Sequence, residues 1–263
     1  DMVRTAVSEN ADVIFAGAGL PLDLPGYLTE GSRTQLVPIV SSSRAARLIC
    51  EKWSANYGYL PDAIVVEGPK AGGHLGFKKE QIEDEHYSLE HLIPEVVEVA
   101  RSYAGRKNIP VIAAGGIATG EDIARFMALG ASAVQMGSIF VPTEECDASV
   151  EFKKVYLNAH REDIRIIQSP VGMPGRAFDG EFIRNVAEGK EKPRSCPFHC
   201  IKTCDYTKSP YCIIKALYNA AKGNMKKGYA FAGGNAYLSD KIRSVREVVE
   251  KLKTDFFLSK AAF

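Results

Sequence analysis

The residue best suited to chemistry in this sequence is a histidine in a glycine-rich loop. Residues 67–76 read EGPKAGGHLG, with four glycines and with His74 shortly after an apolar run. Glycines let backbone N–H groups approach a ligand closely. A histidine with its ordinary pKa of about 6.5 accepts a proton at neutral pH. A lone histidine is more often structural or solvated. His74, however, lies in a glycine-rich loop that offers no apolar face for it to pack on. We therefore predict that His74 is a catalytic base.

Two further glycine loops predict an anion site. Residues 113–119 (AAGGIAT) place Gly115 and Gly116 between an apolar run and a helical pattern. Residues 134–138 (VQMGS) form a second such loop, one strand–helix unit further along the chain. Exposed N–H groups and the positive end of a helix dipole favour a bound phosphate. The alternative is two ordinary turns between strands and helices. The pair is more specific than either loop alone, although many barrel families share it.

Alternating strands and helices position these loops. Continuous apolar runs predict parallel strands covered on both faces, and three segments with helical spacing lie between them. The runs are 12–18, 35–41, 63–67, 109–114 and 133–137, and the helical segments are 43–54, 89–103 and 119–129. Strands alternating with helices favour a parallel sheet, where ligands bind at the carboxyl ends of the strands.

The second part of the chain follows a different pattern. After about residue 160 the alternation stops, and helices are predicted only at 213–222 and 241–252. We therefore predict that residues 1–163 form a barrel portion and that residues 164–263 form a cap or helical C-terminal extension packed on it. Residues 1–9 resemble the latter part of a helix. A closed parallel barrel needs eight strands, so the five runs form either an open sheet or a barrel lacking three strand–helix units.

Four clustered cysteines form a candidate metal site. Cys196, Cys200, Cys204 and Cys212 lie in the sequence CPFHCIKTCDYTKSPYC, and helical spacing would place the first three on one helix face. Four thiolates can hold zinc or an iron–sulfur cluster. Their spacing matches none of the usual patterns closely, and buried thiols that pack helices together are the alternative. His199 is a weaker candidate ligand.

Composition narrows the class of protein and its partners. Apolar residues make up 46% of the 263 residues, and the net charge of +1 gives no reason to expect nucleic acid or an anionic membrane as a partner. The apolar runs are too short to span a bilayer. No basic segment followed by an apolar one opens the chain, and the cysteines are too sparse for a disulfide scaffold. We therefore expect a reducing compartment, the cytoplasm.

The glycine loops together resemble one enzyme family. Residues 67–76, 109–123 (IPVIAAGGIATGEDI), 133–140 (AVQMGSIF) and 169–178 (SPVGMPGRAF) are similar to the nitronate monooxygenases, formerly called 2-nitropropane dioxygenases. The flavin-dependent enoyl-ACP reductases are close relatives. Members of the family are FMN-binding TIM (β/α)8 barrels. The resemblance implies that the five predicted strands are strands four to eight of such a barrel, and that its N-terminal part is missing.

The resemblance also implies roles for individual residues. His74 would be the base that takes the α-proton of a nitroalkane or orients a nitronate, and reduced flavin would react with oxygen. Glu67, which is often Gln in relatives, and Gly72 would contact the flavin. Residues implied to hold the FMN phosphate and ribityl chain are Gly116, Gln135, Met136, Gly137 and Ser138, with Gly115 adjoining them.

Three functions follow as hypotheses. The leading one is an FMN-dependent nitronate monooxygenase acting on a small molecule. The second is an FMN-dependent reductase that uses NAD(P)H as co-substrate, such as an enoyl-ACP reductase, because the same loops serve both reactions. The third is a flavin-binding or metal-cluster-binding electron-transfer module. The expected partner is the missing N-terminal barrel half, in the same or a separate chain, and a homo-oligomer is left open.

Overall fold

A computed structural model describes residues 2–200 and 204–260. Contacts divide the chain into two units. The first contains the residues up to Pro69, Glu80–Ile117 and Glu121–Gln135. The second contains Lys70–Lys79, Ala118–Gly120 and the residues from Met136 onward. The boundary near residue 163 between two domains stays a prediction.

Strands and helices alternate at first and then change order. The strands are β1 (Val13–Ala16), β2 (Gln35–Val40), β3 (Ile64–Glu67), β4 (Gly73–His74), β5 (Val111–Ala114), β6 (Ala133–Gln135), β7 (Ile164–Gln168) and β8 (Pro174–Phe178). The α-helices are α1 (Met2–Ser8), α2 (Ser43–Tyr57), α3 (Leu89–Arg101), α4 (Gly120–Ala128), α5 (Val150–Leu157), α6 (Glu181–Ala187), α7 (Ile213–Ala221) and α8 (Val245–Lys260).

A parallel sheet forms the centre of the first unit. Its strand order is β1-β2-β3-β5-β6, and every neighbouring pair is parallel. The five predicted parallel strands are therefore confirmed, each ending or beginning within a few residues of its predicted bounds. Leu36, Ile64, Val65 and Val66 are fully buried, as expected for continuous apolar strands covered on both faces. In the described part of the chain, β1 and β6 each pair on one side alone.

Helix α2 buries its predicted apolar face, whereas Met127, predicted on the apolar face of α4, is 41% exposed. In α2, Ser42 caps the N-terminus by accepting a hydrogen bond from the Ala45 backbone N–H. The helix runs three residues past its predicted end because Gly58, at φ 62°, adopts the left-handed conformation that ends helices. Trp53 is fully buried, and its indole N–H donates to the Pro21 carbonyl at 2.9 Å. This bond fastens the loop after β1 to α2.

The second unit contains a sheet that the sequence analysis missed. β4, β8 and β7 form a three-stranded antiparallel sheet in that order. The sequence of β8 is PGRAF, and Pro and Gly are depleted in strands, so its local pattern did not predict a strand. β4 is two residues long and joins the sheet through a partner about a hundred positions away in the chain. Such long-range pairings are invisible to local periodicity.

The C-terminal helices match their predictions to different degrees. The first, predicted at 213–222, is confirmed as α7. The second was predicted to begin at residue 241, but α8 begins at Val245 and continues to Lys260. The start is set by Ser244 and Glu247, because the Ser244 backbone N–H donates to the Glu247 carboxylate and the Glu247 backbone N–H donates to the Ser244 hydroxyl. This reciprocal pair is a capping box.

The helix expected through the cysteine cluster is absent from the residues described there. Residues 196–200 and 204–212 form bends, turns and extended backbone. His199 has a φ of 45°, which is incompatible with a right-handed helix. The prediction that Cys196, Cys200 and Cys204 share a helix face is therefore wrong for these residues. Among the helices described, none is long and apolar enough to cross a membrane.

Candidate functional site

His74 lies at the edge of the antiparallel sheet in the second unit. It pairs with Gly175 of β8, and the preceding Gly73 pairs with Arg176. Gly73 has a φ of 85°, a left-handed conformation that other residues adopt at a cost, so the glycine permits the turn that carries His74 into the strand. The glycines of this loop thus fix the backbone from which the imidazole projects.

Two neighbours orient the His74 ring. Its Nε2 lies 2.7 Å from the hydroxyl of Ser169, which is 2% exposed. The Phe231 ring meets the imidazole edge to face, with centroids 5.1 Å apart. Desolvation by the surrounding protein lowers the pKa of His74 below its ordinary value. The imidazole is therefore neutral at neutral pH, the state in which it can accept a proton.

Ser169 belongs to the tight turn between β7 and β8. The Ser169 backbone N–H donates to the Met173 carbonyl at 3.0 Å, and the Gly172 N–H donates back to the Ser169 carbonyl at 3.0 Å. Gly172 has a φ of 85°, as this reversal requires. The turn holds Ser169 in place independently of His74, so the hydroxyl acts as a fixed partner for the imidazole.

A segment over 228–235 (GYAFAGGN) contacts several of the predicted site residues. The Gly234 N–H donates to the Lys70 carbonyl at 2.9 Å, and the Gly233 N–H donates to the Ser138 hydroxyl at 2.9 Å. A Cβ at Gly72 would lie 2.7 Å from the Gly233 nitrogen. The structure therefore places both Gly72 and Ser138 next to Gly233. It also gives a packing reason for the glycine at position 72, whose contact with flavin stays a prediction.

In the first unit, three predicted positions lie at the carboxyl edge of the sheet. Glu67 pairs in register with Ala114 of β5, and Ala114 pairs with Gln135 of β6. Gly115 and Gly116 follow directly, with φ values of 98° and 78°. Two successive left-handed residues turn the backbone sharply at the strand end. Glu67, Gln135 and the start of this glycine turn are thus neighbours across three strands.

Glu67 is a half-buried carboxyl without a partner among the described residues. Desolvation raises its pKa to about 7, and no charge or hydrogen bond is a further cause. A carboxyl at a strand end with this pKa is partly protonated at neutral pH. Groups of this kind are concentrated at functional sites.

The remaining predicted cofactor residues follow β6 in the chain. Met136 and Ser138 are half-buried, and Gly137 is exposed. A Cβ at Gly137 would meet no atom within 4 Å. Ser138 begins a short 3-10 turn and accepts the hydrogen bond from Gly233, which leaves its own O–H free to donate to another acceptor.

The four clustered cysteines line one pocket. The pocket is partly open to solvent, and its wall includes Cys196, Cys200, Cys204 and Cys212. The pKa of the Cys204 thiol is raised, first by desolvation and then by the neighbouring charges of the other three cysteines. His199, the weaker candidate ligand, does not line the pocket. In the described residues, no three His, Cys, Asp or Glu side chains are gathered closely enough to hold a metal ion as they stand.

Sequence analysis missed two functional residues and one segment. Ser169 and Phe231, which orient His74, lie about 95 and 157 positions beyond it and carry no local signal of their pairing. The segment over 228–235 did carry a local sequence signal, since it combines three glycines with two aromatic residues. By contrast, His86 is 89% exposed on its side chain and is paired with Asp84, as expected for a solvated acidic loop.

The parallel sheet with its glycine loops at the carboxyl edge defines an α/β protein of the TIM-barrel type. A family model described as nitronate monooxygenase matches residues 2–255. The chain belongs to the nitronate monooxygenase family. The fold class predicted from the sequence, a portion of such a barrel with a C-terminal extension, is confirmed.

Curated relatives and solved structures agree with this assignment. A probable nitronate monooxygenase of Staphylococcus aureus (strain Newman) is 34% identical over 128 residues, which are 48% of this chain and 34% of that protein. A probable nitronate monooxygenase of Staphylococcus saprophyticus is 32% identical over 140 residues, 52% of this chain and 38% of that protein. The matches thus span between a third and two fifths of the relatives' length.

Among solved structures, FabK from Thermotoga maritima is 28% identical and superposes with a TM-score of 0.75 over 99% of this chain and 73% of that chain. Nitroalkane oxidase from Streptomyces ansochromogenes is 23% identical, with a TM-score of 0.71 over 99% of this chain and 68% of that chain. The second likeness shows the fold alone.

Proposed function

We propose that this chain carries the FMN-phosphate loops and the catalytic base of an FMN-dependent oxidoreductase that acts on small nitronates. The observation that carries the proposal is the His74 imidazole, kept neutral by desolvation and held by Ser169 on a glycine turn. The match to the nitronate monooxygenase family supports the reaction class. The curated relatives, named as probable nitronate monooxygenases, support it as well.

The predicted FMN residues fit a phosphate and a flavin chemically. Gly115 and Gly116 have positive φ values and no side chains, so the backbone turns at the strand end and a phosphate can approach it closely. The space around Gly137 admits close approach of a ligand, and the Ser138 O–H is free to donate to a phosphate oxygen. Gln135 and Met136 complete this set. Glu67, half-buried and without a partner in the described chain, is available to a polar group of the flavin.

The chain's own residues would then handle the proton. Bound FMN supplies the electron-accepting chemistry. His74 takes the α-proton of a nitroalkane on the imidazole nitrogen that faces the substrate, or orients a nitronate that is already deprotonated. Nε2 is engaged by the Ser169 hydroxyl, which can donate to it or accept from it according to the tautomer, so Nδ1 is the ring nitrogen that this contact leaves open. Phe231 and the burial of the ring exclude water from one side of it.

An FMN-dependent reductase that uses NAD(P)H is the second candidate. Its support is the superposition with FabK at 28% identity over nearly the whole chain. The glycine loops bind FMN equally in either reaction, so they do not separate the two candidates. The two candidates differ in the electron donor, which is the nitronate for the monooxygenase and NAD(P)H for the reductase. The third candidate, a binding or electron-transfer module, predicts no turnover with either substrate.

An absorbance experiment tests the proposal. The purified chain is examined for flavin bands, and ethylnitronate or NADPH is then added without oxygen. Flavin bleaching by ethylnitronate supports the monooxygenase. Bleaching by NADPH alone assigns the chain to the reductase, and bleaching by neither leaves the binding module. A chain that purifies without flavin and does not bind added FMN contradicts the proposed cofactor site.

The barrel and the location of the protein remain proposals. We propose that three further strand–helix units, in the same or a separate chain, pair with β1 and β6, whose outer edges have no partner in the described residues. Supplying those units should raise the flavin content per chain. A small-molecule substrate and a cytoplasmic location also stay predictions, as does the homo-oligomer.

A further inference from the structure

The cysteine pocket is built by three separate pieces of the second unit. One wall is the turn after β7, through Pro170 and Val171. The others are the segments that carry Cys196 with Cys200 and Cys204 with Cys212. Prolines, serines, tyrosines and an isoleucine form the rest of the lining. Among the described residues, no helix or strand spans the four cysteines, so regular secondary structure does not explain why they line one pocket.

Packing in a hydrophobic core does not explain why the four cysteines lie together. Cys200 and Cys204 are exposed, and Cys196 and Cys212 are half-exposed, whereas a thiol that serves packing is among the most buried of side chains. Cys50 shows the contrast in this same chain, since it is fully buried within α2. All four pocket cysteines are free thiols, so disulfide cross-linking does not account for the cluster either. Four accessible thiols facing one cavity are typical of a soft-metal site.

The spacing of the thiols distinguishes between the metals. A single zinc ion draws all of its sulfur ligands to about 2.3 Å from one point. Among the described residues, the thiols are not gathered into so compact a group. An iron–sulfur cluster is larger than a single ion and holds its four cysteines further apart. We propose that Cys196, Cys200, Cys204 and Cys212 bind an iron–sulfur cluster in this pocket.

The cysteine pocket adjoins the turn that positions His74. Pro170 and Val171 belong to the same turn as Ser169, whose hydroxyl contacts His74. A cluster held in the pocket would therefore lie against the turn that carries Ser169. The cluster assignment itself does not depend on the nitronate reaction, because metal content is measured without turnover.

The test is a metal and sulfide analysis of the full chain purified without oxygen. Iron, acid-labile sulfide and zinc are measured per polypeptide, together with flavin, which is counted separately because its absorbance overlaps that of a cluster. The expected result is iron and sulfide in roughly equal amounts and at least stoichiometric with the chain. Dithionite reduction should produce a paramagnetic signal. Zinc without sulfide, or no metal after reconstitution with ferrous iron and sulfide, overturns the proposal.

Matched variants locate the ligands. Cys200→Ser and Cys204→Ser should each lose most of the iron and sulfide, because both side chains are exposed at the pocket and their replacement disturbs no core. Cys146→Ser is the control, since Cys146 lies outside the pocket and its loss should leave the content unchanged. Equal retention of iron and sulfide in all three variants contradicts the assignment. Circular dichroism checks that each variant is folded.

Discussion

The imidazole Nε2 of His74 and the hydroxyl of Ser169 lie 2.7 Å apart, although 95 positions separate the two residues in the chain. The contact joins the glycine-rich loop to the turn that follows β7. Ser169 is held by that turn and is almost fully buried, so the bond restrains the imidazole more than the serine. The candidate base is thus oriented by a residue from a different strand connection.

Replacing His74 by Ala tests the role of the base. Turnover of ethylnitronate or of a nitroalkane should fall by about 10²–10⁴-fold, the usual contribution of general base catalysis, while the flavin content stays unchanged. Steady-state kinetics and flavin absorbance measure the two effects. His86→Ala is the control, because His86 is exposed and paired with Asp84. Unchanged turnover in the His74 variant would end the proposal.

Replacing Ser169 by Ala tests the positioning of His74. A neutral hydrogen bond contributes about 0.5–1.5 kcal/mol, so kcat should fall by roughly 2–10-fold. KM and flavin content should change little, because the serine acts through the imidazole. Ser102→Ala is a matched control, since that hydroxyl donates to the Val99 carbonyl at 2.6 Å and contacts no site residue. A fall in flavin content that accounts for the lost turnover would assign Ser169 a structural role.

The pH dependence of turnover reports the protonation of His74. Desolvation lowers its pKa below 6.5, so the basic form should persist to a lower pH than for a solvated histidine. The ascending limb of kcat against pH should therefore have its midpoint below 6.5. Glu67 titrates at about 7 and could add a second limb, so the profile is measured in the Glu67→Gln variant as well. A midpoint above 6.5 in that variant contradicts the assignment of the limb to His74.

Glu67→Gln should stabilise the protein at alkaline pH. Burial raises the pKa of Glu67 from 4.5 to about 7, so the folded chain binds this proton more tightly than the unfolded chain. The resulting stability is present below pH 4.5 and is lost as pH rises through about 7. Glutamine is neutral and nearly the same size, so the variant does not lose stability as pH rises. Thermal melts should therefore favour the variant by about 2 kcal/mol at pH 8 and by much less at pH 5. An equal difference in stability between the variant and the unchanged protein at both pH values would mean that ionisation is not the cause.

Gly120 is required where α8 approaches the start of α4. A Cβ at Gly120 would lie 2.2 Å from the Phe256 nitrogen and 2.4 Å from the Leu252 carbonyl oxygen, and backbone atoms cannot yield as a flexible side chain can. Gly120→Ala should therefore destabilise the protein by about 1–3 kcal/mol. Denaturant unfolding measures the change. Gly105→Ala is the control, because a Cβ there meets no atom within 4 Å. Equal midpoints for the two variants would show that α8 does not pack as described.

Local patterns in the sequence were sufficient for the parallel sheet. Continuous apolar runs predicted all five strands, because a strand covered on both faces needs apolar residues at every position. The helical spacing of Ala46, Ile49, Cys50 and Trp53 likewise predicted the face that α2 buries. The glycines before His74 indicated an unusual loop. These features are encoded within about twenty neighbouring residues, which is the range over which periodicity carries information.

The partners of the candidate site were decided by tertiary structure. Ser169, Phe231 and the Gly233 N–H reach the predicted residues through pairings that cross 95 positions or more. The cysteines illustrate the same limit, because their spacing suggested a helix face, whereas the residues described there line a common pocket from non-helical segments. The sequence by itself determined which residue types are available for chemistry and which segments become strands and helices. Which side chains touch depends on long-range packing, where the free energy comes from contacts that no local pattern records.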